Sequence, residues 1–238
     1  MRGYLGRLIS GVGWMAIAVV AMAIPALPQT ILPPIAEYRG KASGMVELRN
    51  DGDIPLAVIV EVKGFRVDEI GRMAYVDLNP SVRVELGANS FVIPPRQSHM
   101  VFYKANGPTL PYWFAILATF TKAEPVKNEM RVNVILPHVV YVYQKQALKK
   151  QDVQLALAAG PQAGQYRLEV RNLSSKASRV ETIECKGFEK PVELGGMPVF
   201  PAKPRFLDLD AGAATGNNAR CKVSFEEGFS MEVTPATN

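Results

Sequence analysis

Short runs of alternating apolar and polar residues, separated by turn-forming residues, follow one another from residue 45 onwards. Val82, Val84 and Leu86 alternate with Arg83 and Glu85, which is the period of a strand with one buried and one solvated face. The density of turn signals leaves no apolar period of helical length. The pattern predicts an all-β chain made of β-sandwiches.

The same pattern predicts individual strands in two groups. The first group covers residues 45–48, 54–62, 81–86, 91–93, 99–104, 112–121 and 130–143. The second covers residues 153–158, 166–171, 179–185, 205–209, 220–225 and 229–233. Gly195 and Gly196, and the glycines of residues 212–216, are interpreted as turns. Residues 144–152 are polar and rich in lysine, and we interpret them as a linker in which a short helix at 146–150 is compatible with the sequence.

Residues 130–143 form the longest predicted strand, and they consist mainly of β-branched and aromatic types. Val132, Val134 and Leu136 share one face, with Arg131 and Asn133 between them, whereas after Pro137 both faces are apolar. Because proline has no N–H to give to a ladder, we expect this strand to lie at a sheet edge around Pro137. A long apolar edge strand requires a partner that covers it.

The two groups of strands contain an internal repeat. Residues 45–50 are echoed by residues 167–172, and residues 60–65 by residues 183–188, in the same order and at nearly the same offset. Such a match indicates two domains of one type. We place them at residues 27–145 and 146–238, after a leader at 1–26.

The leader has the composition of an export signal. Arg2 and Arg7 precede an apolar stretch at residues 8–23, with small residues before cleavage points after Ala23 or Ala26. The alternative is an uncleaved anchor, because residues 8–26 approach the roughly 20 residues that span a bilayer. Export favours one disulfide between Cys185 and Cys221, the only cysteines, over two buried free thiols.

Several classes of function find no support in the sequence. The net charge of +5 includes no basic run interleaved with aromatic residues, so no nucleic-acid partner is expected. Neither His99 nor His138 has the spacing of a metal ligand, and the neighbours Ser98 and His99 point to opposite faces of a strand. No glycine-rich phosphate loop is present. We therefore expect no enzyme, no cofactor, no metal and no small-molecule substrate.

The order of motifs resembles that of the periplasmic chaperones that assemble pili in the chaperone–usher pathway. In the first domain the resemblance rests on residues 46–50, 55–60, 91–98, 112–116 and 130–143, and in the second on residues 166–172, 199–201 and 221–228. It implies two immunoglobulin-like domains in an L-shaped arrangement, located in the periplasm. It also implies binding of pilus (fimbrial) subunits and delivery to an outer-membrane usher.

On this resemblance, the long strand is lent to a subunit that lacks its own last strand. Main-chain hydrogen bonds along the edge would supply affinity, and alternate apolar side chains would fill the groove of the subunit. The candidate groove fillers are Val132, Val134 and Leu136. The same three residues fit equally well a strand that faces the core of its own domain.

The family usually holds the terminal carboxylate of the subunit with an arginine of the first strand and a lysine near the end of the donor strand. Residues 133–143 contain no lysine, so His138 and Arg39 are the candidates here, with Arg96 and Arg131 as substitutes. The alternative function is a structural or adhesive two-domain protein of the cell envelope without a client. In either case the exposed edge also allows self-association.

Overall fold

The computed structural model describes residues 29–124, 132–188, 192–210 and 219–235, with the backbone alone for 192–194. Within these residues the regular structure consists of seventeen strands and one short 3₁₀ turn, Lys150–Asp152, so the all-β class is confirmed. No helix long and apolar enough to cross a bilayer occurs among them, and the predicted leader lies outside the described residues.

The first domain is a sandwich of ten strands in two sheets. The strands are β1 (Gln29–Leu32), β2 (Ile35–Arg39), β3 (Ala42–Asn50), β4 (Leu56–Val67), β5 (Met73–Val76), β6 (Arg83–Leu86), β7 (Ser90–Ile93), β8 (Ser98–Asn106), β9 (Tyr112–Lys122) and β10 (Val134–Tyr143). One sheet has the order β1-β3-β8-β6, and the other has β2-β10-β9-β4-β5, with β7 also pairing with β4. Their facing sides bury the core, which includes Val46, Val101 and Phe114.

The second domain repeats the sandwich with fewer strands. They are β11 (Val153–Ala159), β12 (Gln165–Asn172), β13 (Ser178–Lys186), β14 (Val192–Val199), β15 (Pro204–Asp210), β16 (Arg220–Phe225) and β17 (Ser230–Val233). The sheets have the orders β11-β12-β15 and β14-β13-β16-β17. The predicted disulfide is present: Cys185 and Cys221 lie directly opposite each other on β13 and β16 and are both buried.

The internal repeat corresponds to equivalent strands. The first repeated motif lies in β3 and β12, each of which pairs with the opening strand of its sheet. The first copy of the second motif lies in β4, and the second copy lies at the end of β13. Each of these strands is an inner strand of the other sheet of its domain. The sequence repeat therefore marks two sandwiches of related topology, as predicted.

Three local predictions differ from the structure. Gly195 and Gly196 do not form a turn; they lie within β14, where Gly195 pairs with Thr182. A side chain at Gly195 would crowd the Glu181 carbonyl at 3.0 Å, so glycine here serves close strand packing rather than a turn. The linker helix is a 3₁₀ turn at Lys150–Asp152 instead of 146–150, and the long strand begins at Val134 instead of residue 130. Met130, Arg131 and the glycines of 212–216 lie outside the described residues.

A mixed apolar and polar joint connects the two domains. Phe200 of the second domain packs on Trp113 and Tyr141 of the first, with ring centroids 4.7 and 6.3 Å apart. The side-chain amide of Gln144 exchanges two hydrogen bonds with the backbone of Ala177. Phe206 N–H donates to the Glu69 carbonyl at 2.7 Å. The C-terminal end of β10 therefore lies at this joint, where Tyr141 contacts Phe200 and the next residue after the strand, Gln144, bonds to Ala177.

Candidate functional site

Strand β10 is paired on both sides along only half of its length. Strand β9 pairs with β10 in antiparallel orientation from Val134 to Val142. Strand β2 pairs with it in parallel orientation only from Val139 to Tyr143. Among the described residues, no strand pairs with the other side of Val134–His138. Pro137 lies in this half, so the prediction that β10 is an edge strand at Pro137 is confirmed.

The backbone groups that face the free side follow from the pairing of Val139. Its N–H donates to the Pro34 carbonyl of the crossover before β2, at 2.8 Å. Because the N–H and C=O of one residue point to the same side and alternate along a strand, Pro137 and Ile135 share the orientation of Val139. Ile135 thus presents both groups to the free side, and Pro137 presents its carbonyl. The missing N–H of Pro137 costs no bond to β9, which explains why proline is tolerated there.

The side chains of this half alternate between the core and the outer face. Val134 and Leu136 are half-buried and pack against the core of the first domain. Ile135 points the other way and is 56% exposed, and Val132 precedes the strand and is 63% exposed. Val134 and Leu136 therefore sit at the open end of the sandwich, between the core and the uncovered edge. Their contact with a subunit stays a prediction.

His138 is fully buried, with 0% of its surface exposed, at the point where the two halves of β10 meet. Its Nδ1 lies 2.6 Å from the Pro33 carbonyl, and its Nε2 lies 2.9 Å from the Tyr103 hydroxyl. A carbonyl can only accept, so Nδ1 carries the proton and Tyr103 donates to Nε2. The Tyr38 hydroxyl, 2.9 Å from that of Tyr103, then completes the chain as a donor. In this arrangement His138 is neutral and offers no surface to a ligand.

Burial determines the titration behaviour of this group. It lowers the pKa of His138, and the hydrogen bond to the Pro33 carbonyl opposes the shift only in part. Burial also raises the pKa of Tyr103, and the hydrogen bond with Tyr38 adds to this effect. Both side chains therefore stay uncharged at neutral pH, and a fixed positive charge is not available from His138.

Arg39 lies at the far end of the same pair of strands, opposite Tyr143. It is separated from His138 by about 17 Å of strand at roughly 3.3 Å per residue. Its guanidinium is 3.2 Å from Glu226 of the second domain, and its side chain is 41% exposed. Arg96 pairs with Asp53 at 2.8 Å in a turn of the first domain, and Arg131 lies outside the described residues. The structure thus does not bring Arg39, His138 and the predicted groove fillers into one cluster.

Sequence reasoning missed the residues that shape this edge. It assigned no strand to residues 29–39, although the consecutive Pro33 and Pro34 could have marked the end of one strand and the start of another. It also missed Tyr38 of β2 and Tyr103 of β8, whose hydroxyls meet only in the folded sandwich. Glu37 binds Arg179 of the second domain at 3.1 Å and accepts a hydrogen bond from Tyr143, which no local pattern indicates.

No family model matches the sequence, and no curated protein matches it. Solved structures do match in fold. The class 5 fimbriae chaperone CfaA aligns with a TM-score of 0.54 at 11% identity, covering 88% of this chain and 100% of that one. The complex of SafA pilin with the SafB chaperone from Salmonella enterica aligns with a TM-score of 0.54 at 11% identity, covering 87% and 95%. The CsuC–CsuE chaperone–tip adhesion subunit complex from Acinetobacter baumannii gives 0.51 at 15%, covering 88% and 99%.

The fold and the site define a class of protein: two β-sandwiches in which, among the described residues, one strand of the first domain is paired on a single side over half of its length. In architecture the chain has the two-domain fold of the fimbrial chaperones to which these structures belong. At 11 to 15% identity the likeness extends to the fold alone. The architecture expected from the resemblance is confirmed, and the L-shaped angle between the domains stays a prediction.

Proposed function

We propose that this chain is a periplasmic chaperone that binds fimbrial subunits by lending them the open half of β10, and that it delivers them to an outer-membrane usher. The observation that carries the proposal is Val134–His138, which has one partner strand and one uncovered side among the described residues. The fold adds support, because the similar structures include a chaperone bound to a pilin and one bound to a tip adhesion subunit.

The chemistry of the edge suits an added strand. Ile135 offers a donor and an acceptor, Pro137 offers an acceptor, and Val134 and Leu136 present apolar side chains beside them. A subunit with an open groove would expose an apolar slot, and covering that slot requires neither cofactor nor nucleotide. Val132, Val134 and Leu136 remain our candidates for the side chains that fill the groove of the subunit. Arg39 remains the candidate for binding the terminal carboxylate of the subunit, whereas His138 is buried in the core of the chaperone.

The second candidate is a structural or adhesive envelope protein without a client. It is favoured by Arg39, the predicted anchor, which is already engaged by Glu226 at 3.2 Å. In that case the open edge of β10 would stay uncovered or pair with a second copy of the chain.

The Ile135→Pro variant tests strand donation through the backbone. It removes the one N–H that we place on the free side of Val134–His138, and it breaks no hydrogen bond to β9, because that N–H points away from β9. The matched control is Ile135→Ala, which keeps the N–H and changes the same exposed side chain. We expect Ile135→Pro to recover at least tenfold less subunit than Ile135→Ala, since the N–H and its neighbours bind a partner strand.

The readout is mass spectrometry of proteins that copurify with each variant from the periplasm of the native host, together with the circular dichroism of the purified chains. A small β-rich exported subunit at equal stoichiometry with the wild type supports the chaperone. Wild-type protein recovered without any such subunit favours the envelope protein. Equal recovery by the proline and alanine variants, both folded, would falsify donation by this segment.

A further inference from the structure

The length of the open edge depends on where the first strand of the domain changes sheets. Strand β1 pairs with β3 in one sheet, and β2 pairs with β10 in the other, so the chain crosses the sandwich at Pro33 and Pro34. Neither proline has an N–H, so neither can donate to β10. The free half of β10 ends where this crossover first reaches the strand, at the bond from Val139 N–H to the Pro34 carbonyl.

The crossover is tied to the core by a directed chain of hydrogen bonds. Tyr38 donates to Tyr103, Tyr103 donates to Nε2 of His138, and Nδ1 of His138 donates to the Pro33 carbonyl. The chain joins β2, β8, β10 and the crossover itself, and every polar atom in it has its partner. Tyr103 and His138 are both buried, so water does not replace a bond that is lost.

The neighbouring strand β3 leaves room for this chain. A side chain at Gly44 would clash with the hydroxyl groups of both Tyr38 and Tyr103. The absence of a side chain at this point allows the two hydroxyls to meet above β3. The ring of Tyr103 also packs edge-on against Tyr38 and Phe114, which fixes its hydroxyl in place.

We propose that Tyr38, Tyr103 and His138 form a positioning clamp that holds the Pro33–Pro34 crossover, and so sets how much of β10 is left open for a partner strand. This inference rests on the proposed function for its biological meaning, but its structural part concerns the free protein. His138 thereby takes a role different from the anchoring role that the sequence suggested: it positions the edge from inside the core.

The test compares Tyr103→Phe with Tyr112→Phe by amide hydrogen exchange in the free protein. Tyr103→Phe removes the central hydroxyl and keeps the ring. Tyr112 is the matched control, since its buried hydroxyl has no hydrogen-bond partner among the described residues. The two probes are Val139 N–H, bound to the crossover, and Gly40 N–H, bound to Tyr143 at the other end of the same pair of strands.

We expect Tyr103→Phe to speed exchange at Val139 roughly tenfold relative to Gly40, because one buried acceptor loses its donor next to the crossover. Tyr38→Phe, which leaves the bonds of His138 intact, should give a smaller change of the same kind, and Tyr112→Phe should give none. A general loss of stability would raise exchange at both probes alike. That result, or an unchanged ratio in Tyr103→Phe, overturns the clamp.

Copurification of subunits from the periplasm separates this inference from the proposed function. If the clamp sets the length of the open edge, we expect Tyr103→Phe to recover several-fold less subunit than Tyr112→Phe. Equal recovery by the two variants overturns the role of the clamp in binding. If the wild-type protein recovers no subunit, the proposed function fails, while the exchange ratio still decides whether the clamp holds the crossover.

Discussion

At the scale of single residues, the repeat retains a buried asparagine whose role only the structure explains. Asn50 and Asn172 close the two copies of the first motif and are almost fully buried. The amide of Asn50 donates to the carbonyls of Ile54, Ile93 and Pro94 and accepts from Gly52 N–H, and Asn172 forms the equivalent bonds to Lys176 and Ser174. Each asparagine therefore holds the turn that follows its strand.

Replacing either asparagine with alanine should lower the free energy of unfolding by about 1–3 kcal/mol, because buried backbone carbonyls lose their donor. Asn79→Ala is the control, since Asn79 makes a similar bond to Ser81 N–H in an exposed turn. We expect that control to change stability by less than about 0.5 kcal/mol. Urea unfolding measures all three variants, and equal losses in Asn50→Ala and Asn79→Ala contradict the structural role.

The buried His138 should make stability depend on pH. Its pKa in the folded protein is below the value of about 6.5 expected for the unfolded chain, so only the unfolded chain gains a proton as the pH falls through that range. The free energy of unfolding should therefore be constant above about pH 7 and decrease as the pH falls below about 6.5. The only titratable groups at its ring nitrogens, among the described residues, are Tyr103 and, through it, Tyr38.

The check is urea unfolding at several pH values between 5 and 8 for the wild type and His138→Gln. We expect the variant to be less stable at pH 8 and to have a flatter dependence on pH. A wild type with the same slope as the variant shows that the titrating group lies elsewhere.

At the scale of elements, Pro34 limits the ladder between β2 and β10. An N–H at position 34 would point toward the Pro137 carbonyl, because residues 34 and 36 face β10 in the same way. Pro34→Ala should therefore extend the ladder by one hydrogen bond and cover the last acceptor of the free edge. We expect slow amide exchange at the N–H that this variant gains, and reduced recovery of a partner strand. Rapid exchange at the same N–H indicates that the path of the crossover, not the missing donor, ends the ladder.

At the scale of the whole molecule, the domain joint combines a buried apolar centre with partly exposed ion pairs. Arg39 and Glu226 are each about two-fifths exposed, and such pairs contribute about 0–1 kcal/mol. Phe200 is almost fully buried against Trp113 and Tyr141. Arg205 adds a bond from the second domain to the Asp68 carbonyl at 2.9 Å. The ring of Phe200 is thus a buried apolar contact between the second domain and Tyr141 of β10.

Removing that ring should uncouple the domains. We expect Phe200→Ala to lose about 3–5 kcal/mol of packing, and to split a single thermal transition into two. Phe102→Ala is the control, because Phe102 is 61% exposed on the outer face of the first domain and should have almost no effect. Differential scanning calorimetry distinguishes the outcomes, and one unchanged transition in Phe200→Ala shows that other contacts hold the joint.

The sequence by itself determined the all-β class, most of the strands, the repeat of two sandwiches and the edge position of Pro137. These features depend on local properties: alternation with a period of two, turn-forming residues and the missing N–H of proline. It also indicated the disulfide, because Cys185 and Cys221 were the only possible pair. The two glycines of β14 were misinterpreted, since the same residue type serves turns and close strand packing.

Only the tertiary structure decided which half of β10 is open and what lies behind it. The partner of Val139 is a crossover more than a hundred residues earlier in the chain, so no local pattern shows where pairing ends. The role of His138 likewise depends on hydroxyl groups from β2 and β8 that meet only in the folded core. Burial keeps His138 neutral, because desolvation favours the uncharged imidazole, so this position supplies no positive charge for an anchor.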